Sequence, residues 1–313
     1  MAKIIAEFCQ NHNGNKELLE EMIFAAAEAG ADYAKIQTIF ADDLSFRDRF
    51  EEGIMENDLV KTIKRPYKSE YERLRKLEIP FEWYEWYIET CKDAGIIPLT
   101  TVFNRSHIEK VASFNWDSVK VASYDCASFP FLSVLKKYFK HIFVSTGATF
   151  DAEIIKAVEV LKGTSFSLLH CVTIYPTPLN EVHLARLDFL RQFTNSVGFS
   201  DHTLVSRDHI KASVVALYLG ADVIERHFTL LNPQKTKDGP ISIDKQQLTQ
   251  LCSLAHGSQN DVNDYIQEVI GDYSEMLGSK YRNLSDIEIG NRDYYRGRFA
   301  SKSKGNPDKF NWE

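Results

Sequence analysis

Three stretches of this chain share one plan: Ala29-Gly30-Ala31-Asp32-Tyr33-Ala34-Lys35-Ile36-Gln37-Thr38, Ala94-Gly95-Ile96-Ile97-Pro98-Leu99-Thr100-Thr101-Val102 and Leu219-Gly220-Ala221-Asp222-Val223-Ile224-Glu225-Arg226-His227. Each ends a helical-period segment on glycine and then opens into a short β-like run. Glycine tolerates the left-handed conformation that terminates a helix.

Working outward from these, the same rhythm fills most of the sequence. Strand-like runs fall at 3–8, 33–38, 97–102, 118–123, 141–146, 166–171, 196–202 and 222–229. Helical-period segments fall between them, at 16–29, 81–94, 106–113, 151–161, 184–193 and 207–219. Asp151 and Ser206 stand where N-caps belong. Eight β/α repeats predict an α/β fold, a parallel (β/α)8 TIM barrel. A doubly wound sheet would carry a glycine-rich fingerprint after one strand. The first turn, Glu7-Phe8-Cys9-Gln10-Asn11-His12-Asn13-Gly14, has one glycine.

Two regions break the rhythm. Residues 41–80 form a long, charged connection after the second strand, and loops of that length are usually functional or disordered. The basic residues at 61–65 are expected to be solvated or to close over a substrate. The barrel is assigned to residues 1–280, leaving a short C-terminal tail at 281–313, too short to bury a core of its own.

Composition narrows the class. With 313 residues, 44% of them hydrophobic, the chain has ordinary globular make-up. The net charge of −7 comes without a dense Lys/Arg block, so no nucleic-acid partner is expected. Cys9, Cys91, Cys126, Cys171 and Cys252 are odd in number and widely spaced, which reads as reduced, mostly packed thiols in a cytoplasmic protein. No apolar run approaches the length of a membrane span and no signal peptide opens the chain, so no membrane partner is expected.

Parallel-barrel strands are covered on both faces and should be apolar. Here the C-terminal strand ends carry Glu7, Lys35 with Gln37, Thr101, Lys120 with Ser123, Ser145 with Thr146, His170 with Thr173, Ser200 with His202, and Glu225 with His227. Residues two apart share a face, and barrel active sites lie at this end. Converging lysines and hydroxyls suit phosphate and carboxylate oxygens. His202 and His227, on neighbouring strands, can approach one divalent metal. Taken singly, each residue has a plainer reading: a snorkelling lysine, a hydrogen-bonded core histidine, a serine in a turn. Cys171 reads as packing, the Trp83/Trp86 helix face as core, and His12 as either a loop hydrogen bond or a substrate contact. Unpaired buried lysines on two interior strands have few structural excuses.

The segments Ala6-Glu7…Asn11-His12-Asn13-Gly14, Lys35-Ile36-Gln37-Thr38, Val144-Ser145-Thr146-Gly147 and His170-Cys171-Val172-Thr173-Ile174-Tyr175-Pro176-Thr177-Pro178 resemble the N-acetylneuraminate (sialic acid) synthase family. Gly198-Phe199-Ser200-Asp201-His202-Thr203 and Ile224-Glu225-Arg226-His227-Phe228-Thr229 extend the resemblance in order along the chain. The resemblance implies a barrel that condenses phosphoenolpyruvate with an N-acyl amino-sugar aldehyde, N-acetylmannosamine or a related hexosamine, to give a nonulosonic acid and phosphate. It implies a divalent metal, Mn2+ with Mg2+ and Co2+ as alternatives, on His202 and His227. By the same resemblance Lys35, Thr101, Lys120, Ser123, Ser145 and Ser200 take phosphoenolpyruvate, and Glu7, Gln37, Thr173 and Tyr175 face the sugar. Glu7, Lys35 and Lys120 are then the catalytic set.

Departures from the family pattern lie on the sugar side. Thr173 stands where some members have Asn, and Ile241 follows Gly239-Pro240 where an Asp is common, with Asp238 and Asp244 nearby. The resemblance also implies a C-terminal antifreeze-like domain that donates an arginine to a partner's sugar site. The residues after Arg292 are too few for it, which leaves a homodimer open and makes Arg292, Arg296 and Arg298 candidates for that cation. Two alternatives stay in view: condensation with a phosphorylated aldose, and a catalytically silent sugar- or partner-binding barrel.

Overall fold

A computed structural model describes residues 1–56, 59–302 and 308–313. Eight parallel strands close into a barrel: β1 Lys3–Glu7, β2 Tyr33–Thr38, β3 Ile97–Val102, β4 Ser118–Val121, β5 His141–Ser145, β6 Ser165–Cys171, β7 Val197–Asp201 and β8 Val223–His227. Neighbours in sequence pair throughout, and β8 returns to β1 with Glu7 opposite His227. The expected strands are all present, each shortened or shifted by at most two residues at an end.

The glycine reading holds at three helix ends, where Gly30, Gly95 and Gly220 have φ of 92°, 76° and 80°. The two cap assignments need correction. Asp151 is the first residue of helix Asp151–Leu161, and Glu153 accepts the Phe150 N–H at 3.0 Å. Ser206 lies inside a short helix, Val205–Asp208. The helix expected over 207–219 breaks at His209, whose φ of 49° is unusual for a residue with a Cβ. The turn delivers the His209 carbonyl to the guanidinium of Arg226, 3.1 Å away.

Strand alternation sorts the barrel interior into layers. Ile5, Leu99, Phe143, Leu169 and Val223, with Tyr33 against them, form a small apolar plug apart from the main core. Two residues further along the same six strands stand Glu7, Lys35, Thr101, Ser145, Cys171 and Glu225, all lining one cavity. The main core, holding Ile4, Ala34, Val144, Leu168, Val197 and Ile224, lies between the strands and the outer helices.

The described residues of the connection at 41–80 carry regular structure. It contains helix Tyr67–Arg75 and a small hairpin of Ile54–Glu56 with Leu59–Thr62. The tail folds back across the barrel mouth as helix Asp286–Tyr295 followed by paired strands Ala300–Ser301 and Lys309–Phe310. Ser285 and Glu288 cap that helix reciprocally, and Arg282 pairs with Glu288 at 2.6 Å. Asn291 Nδ2 donates to Thr173 O at 2.8 Å, and Asn311 Nδ2 donates to both Phe103 O and Asp125 at 3.0 Å. Among the described residues no helix is long and apolar enough to cross a membrane.

Candidate active site

The polar layer opens into a cavity of about 420 Å³ at the C-terminal ends of the strands. Its floor is an ionic cluster. Lys35 contacts Glu7 and donates to Thr101 Oγ1 at 3.0 Å. Lys120 donates to Ser145 Oγ at 2.6 Å and to Val121 O at 3.1 Å. Glu225 stands between the two ammonium groups, 3.5 Å from Lys35 and 3.7 Å from Lys120. Its Oε2 has no hydrogen-bond donor among the described residues, so these ion pairs are what hold the charge.

Burial works against every charge in this cluster, and the partners decide the outcome. For Glu225 burial pushes the carboxyl up, but Lys120 and then Lys35 bring it down to about 2. For Lys35 burial dominates and lowers the ammonium to about 8, despite Glu225. Burial, reinforced by His227, lowers His202 to about 3, and burial lowers His227 as well. Both imidazoles are therefore neutral near pH 7, the form that ligates a metal. The rings lie 5.3 Å apart between centroids, and His227 Nδ1 is buried without a partner among the described residues.

Most of the residues singled out from the sequence line this cavity: Glu7, Lys35, Gln37, Thr101, Lys120, Ser123, Ser145, Tyr175, His202 and His227. Tyr175 sits edge-on to His202, 4.5 Å between ring centres. Two do not reach the cavity surface. Ser200 lies behind Ser145, Oγ to Oγ 3.0 Å, and orients it. Thr173 is fully buried, its methyl facing Gly147 and its carbonyl held by Asn291. His12 resolves to its local reading: it is buried, and its Nδ1 accepts from Gly14 N at 3.1 Å. His170 stacks on Phe199 and bonds Val182 O at 2.7 Å, away from the cavity. Trp83 and Trp86 pack at the margin of the core.

Several lining residues were not assigned from the sequence. Glu225 was signalled by its place two residues before His227. Cys171, read as packing, reaches the cavity with Sγ 3.7 Å from His202 Nδ1. Cys9 and Asp238 meet at the rim, Sγ donating to Oδ2 at 2.8 Å. Arg65 lines the mouth; Arg73 joins it while pairing with Glu70. Ile241 is buried elsewhere, and Asp244 caps helix Lys245–His256, so Asp238 is the acid of that loop that faces the site. From the tail, Asn291 and Tyr295 complete the wall with Arg296 and Arg298, two of the three tail arginines named as candidates from the sequence. Arg292 points elsewhere, to Ala148 O and Glu153.

This geometry, a polar barrel mouth with paired lysines and paired imidazoles, coincides with the result of comparing the chain with known proteins. The model of the NeuB family matches residues 22–265. The chain belongs to the NeuB family. An N,N'-diacetyllegionaminic acid synthase of Campylobacter jejuni is 32% identical over 313 residues, spanning 96% of this chain and 87% of that one. A pseudaminic acid synthase of Campylobacter jejuni is 29% identical, spanning 96% of this NeuB-family chain and 81% of its own. Among solved structures, the spore coat polysaccharide biosynthesis protein SpsE of Bacillus subtilis superposes with a TM-score of 0.72 at 25% identity, covering 94% of this chain and 77% of that one.

Proposed function

We propose that this NeuB-family barrel is a transferase that condenses phosphoenolpyruvate with an open-chain N-acyl amino sugar, yielding a nonulosonic acid and inorganic phosphate. The observation that carries the reading is the floor of the cavity. Two buried ammonium groups flank one carboxylate, each also bonded to a hydroxyl that can turn toward a ligand.

In this scheme the phosphate and carboxylate of phosphoenolpyruvate displace Glu225 as counter-ions of Lys35 and Lys120. Ser145, oriented by Ser200, and Thr101 and Ser123 complete the anion shell. Fixing both anionic ends leaves C3 of the enol free to form the new carbon–carbon bond with C1 of the sugar aldehyde. The aldehyde oxygen takes a proton and becomes a hydroxyl. Water adds at C2, and collapse of the tetrahedral centre expels phosphate and leaves the 2-keto acid. Glu7, already against Lys35, is placed to hold a sugar hydroxyl or move a proton. Gln37 and Tyr175 face the sugar, and the tail closes the acceptor end with Arg296 and Arg298.

His202 and His227 fit a divalent metal, because both are neutral and His227 Nδ1 has no other partner among the described residues. When bound, such an ion supplies polarisation of the sugar carbonyl. The names of the relatives support a nonulosonic acid product.

The test is phosphate release from phosphoenolpyruvate across a panel of N-acyl hexosamines, with products read by mass spectrometry. Release that needs both substrates and falls at least about 100-fold in Lys120→Ala supports the reading. Because Arg65 and Arg73 reach the mouth, the panel includes phosphorylated aldoses. Turnover with those alone would replace the acceptor, and turnover indifferent to Lys120→Ala would remove the site.

A further inference from the structure

Three donor groups from three separate segments meet at the cavity rim. The Cys9 sulfur, a ring nitrogen of His227 and a carboxylate oxygen of Asp238 all lie within 4.8 Å of one another. Cys9 follows β1 and His227 ends β8. Asp238 is carried by a tight loop in which a Cβ on Gly239 would lie 1.9 Å from Pro233 O, so that only glycine fits.

Two features set this trio apart from ordinary packing. Cys9 adopts a φ of 48°, a region costly for a residue with a Cβ, where glycine would be the unstrained choice. Its sulfur donates to a carboxylate, Asp238 Oδ2, at 2.8 Å. His227 is only 8% exposed and its Nδ1 lacks a partner among the described residues, although buried polar atoms are rarely left unpaired. His202 adjoins the trio through His227, with ring centres 5.3 Å apart.

We propose that Cys9 and Asp238 join His227 as ligands of the divalent ion, giving a sulfur–nitrogen–oxygen donor set that selects Zn2+ or Co2+ over Mn2+ and Mg2+. The inference rests on the reading that this site takes a divalent ion, and it replaces Mn2+ as the metal expected. A thiolate is a soft donor that favours Zn2+ over the hard, oxygen-seeking Mg2+. Binding displaces the thiol proton that now bridges to Asp238, and that proton leaves to solvent.

The experiment uses the full chain stripped of metal, without substrate. Co2+ titration is followed by absorption, and Zn2+ and Mn2+ affinities are measured by calorimetry. The wild type is expected to show a near-ultraviolet thiolate-to-Co2+ charge-transfer band and to bind Zn2+ more tightly than Mn2+. Cys9→Ser should lose the band and bind Zn2+ at least about tenfold more weakly, since even an outer partner of a metal ligand is worth 10- to 100-fold. Asp238→Asn should keep the band with weaker affinity. Circular dichroism of the metal-free variants checks the fold, and Cys9→Ala serves as the second variant. An unchanged spectrum and Zn2+ affinity in both Cys9 variants would overturn the assignment. So would a band lost in Cys171→Ser and kept in Cys9→Ser. Either result leaves the condensation reading standing on the phosphate-release assay, which is measured separately.

Discussion

Replacing Asp201 with Asn should cost about 3–5 kcal/mol of stability, the range for breaking a buried ion pair by removing one partner. Asp201 and Arg226 are both without solvent exposure and pair directly. Asp201 also accepts from Thr203 N at 2.9 Å, Thr203 Oγ1 at 2.7 Å and Ser213 Oγ at 2.6 Å. Arg226 donates to Thr203 Oγ1, Thr203 O and His209 O. Asparagine keeps the shape but leaves the guanidinium charge uncompensated in a dry interior. A chain of 313 residues unfolds with an entropy of about 0.7 kcal/mol/K, so the loss corresponds to a Tm lower by about 5–8 °C. Scanning calorimetry or thermal circular dichroism measures this. The double variant Asp201→Leu with Arg226→Met should recover most of the loss, because the desolvation cost leaves with the charges. A drop of about 1 °C or less in Asp201→Asn, or strictly additive single and double effects, would refute the claim that the pair anchors these strand ends. The consequence reaches the site, since Asp201 and Arg226 immediately precede His202 and His227 and face the opposite way.

Arg296 lines the wall proposed to take the acceptor, its buried Nε unpartnered among the described residues; Arg296→Ala should raise the acceptor KM roughly tenfold or more, the worth of one charge-assisted hydrogen bond, and leave the phosphoenolpyruvate KM nearly unchanged. Equal rises in both would assign Arg296 to general mouth structure instead. Burial lowers the Lys35 ammonium to about 8, so the charge proposed to hold phosphoenolpyruvate is present below that pH and lost above it. kcat/KM for phosphoenolpyruvate should bend downward above about pH 8, and Lys35→Arg should remove the bend. Burial would raise the Glu70 carboxyl, but Arg73 and Arg298 hold it at about 2, below the ordinary 4.5. A depressed carboxyl contributes stability that is complete above pH 4.5 and lost as pH falls toward 2. Glu70→Gln should flatten that part of the Tm-against-pH curve, and an unaltered curve would remove Glu70 as the tail's acid-sensitive anchor.

The barrel was legible because its signals are local. A glycine after each helix and a two-residue alternation along each strand can be read in a ten-residue window. They place Lys35, Thr101, Ser145 and His227 on one face without tertiary information. The same alternation is blind to depth. It puts Ser200 on the inward face but cannot tell that Ser145 stands in front of it. Thr173 belongs to the loop beyond β6, where strand periodicity has ended, and its direction is set by Asn291 far along the chain. The tail and the rim were the least legible parts. Asn311, Arg73 and Asp238 arrive through contacts between distant segments, and nothing in their local sequence distinguishes them from solvated polar residues; Arg296 was a candidate only through the family resemblance. Cys9 was hidden differently: a lone thiol has packing as its default reading, and its backbone angle and its carboxylate partner separate it.

An acidic chain that takes a highly anionic substrate has to solve its electrostatics locally. Here the solution is counter-ions that can be exchanged. Among the described residues, seven cationic side chains line the cavity against four carboxylates, while the whole molecule carries −7. Glu7 and Glu225 pair with the buried ammonium groups of Lys35 and Lys120. Phosphoenolpyruvate then meets charges already buried and already oriented by hydroxyls. Its cost of entry is the displacement of one carboxylate rather than the desolvation of two lysines. The rim cations follow the same pattern, since Glu70 holds both Arg73 and Arg298. In the proposed scheme the pre-paired lysines in the floor serve the substrate common to this chemistry. Cys9, Asp238, Arg296 and Arg298 line the same cavity nearer its rim, where the second substrate and the metal would enter in the proposed scheme.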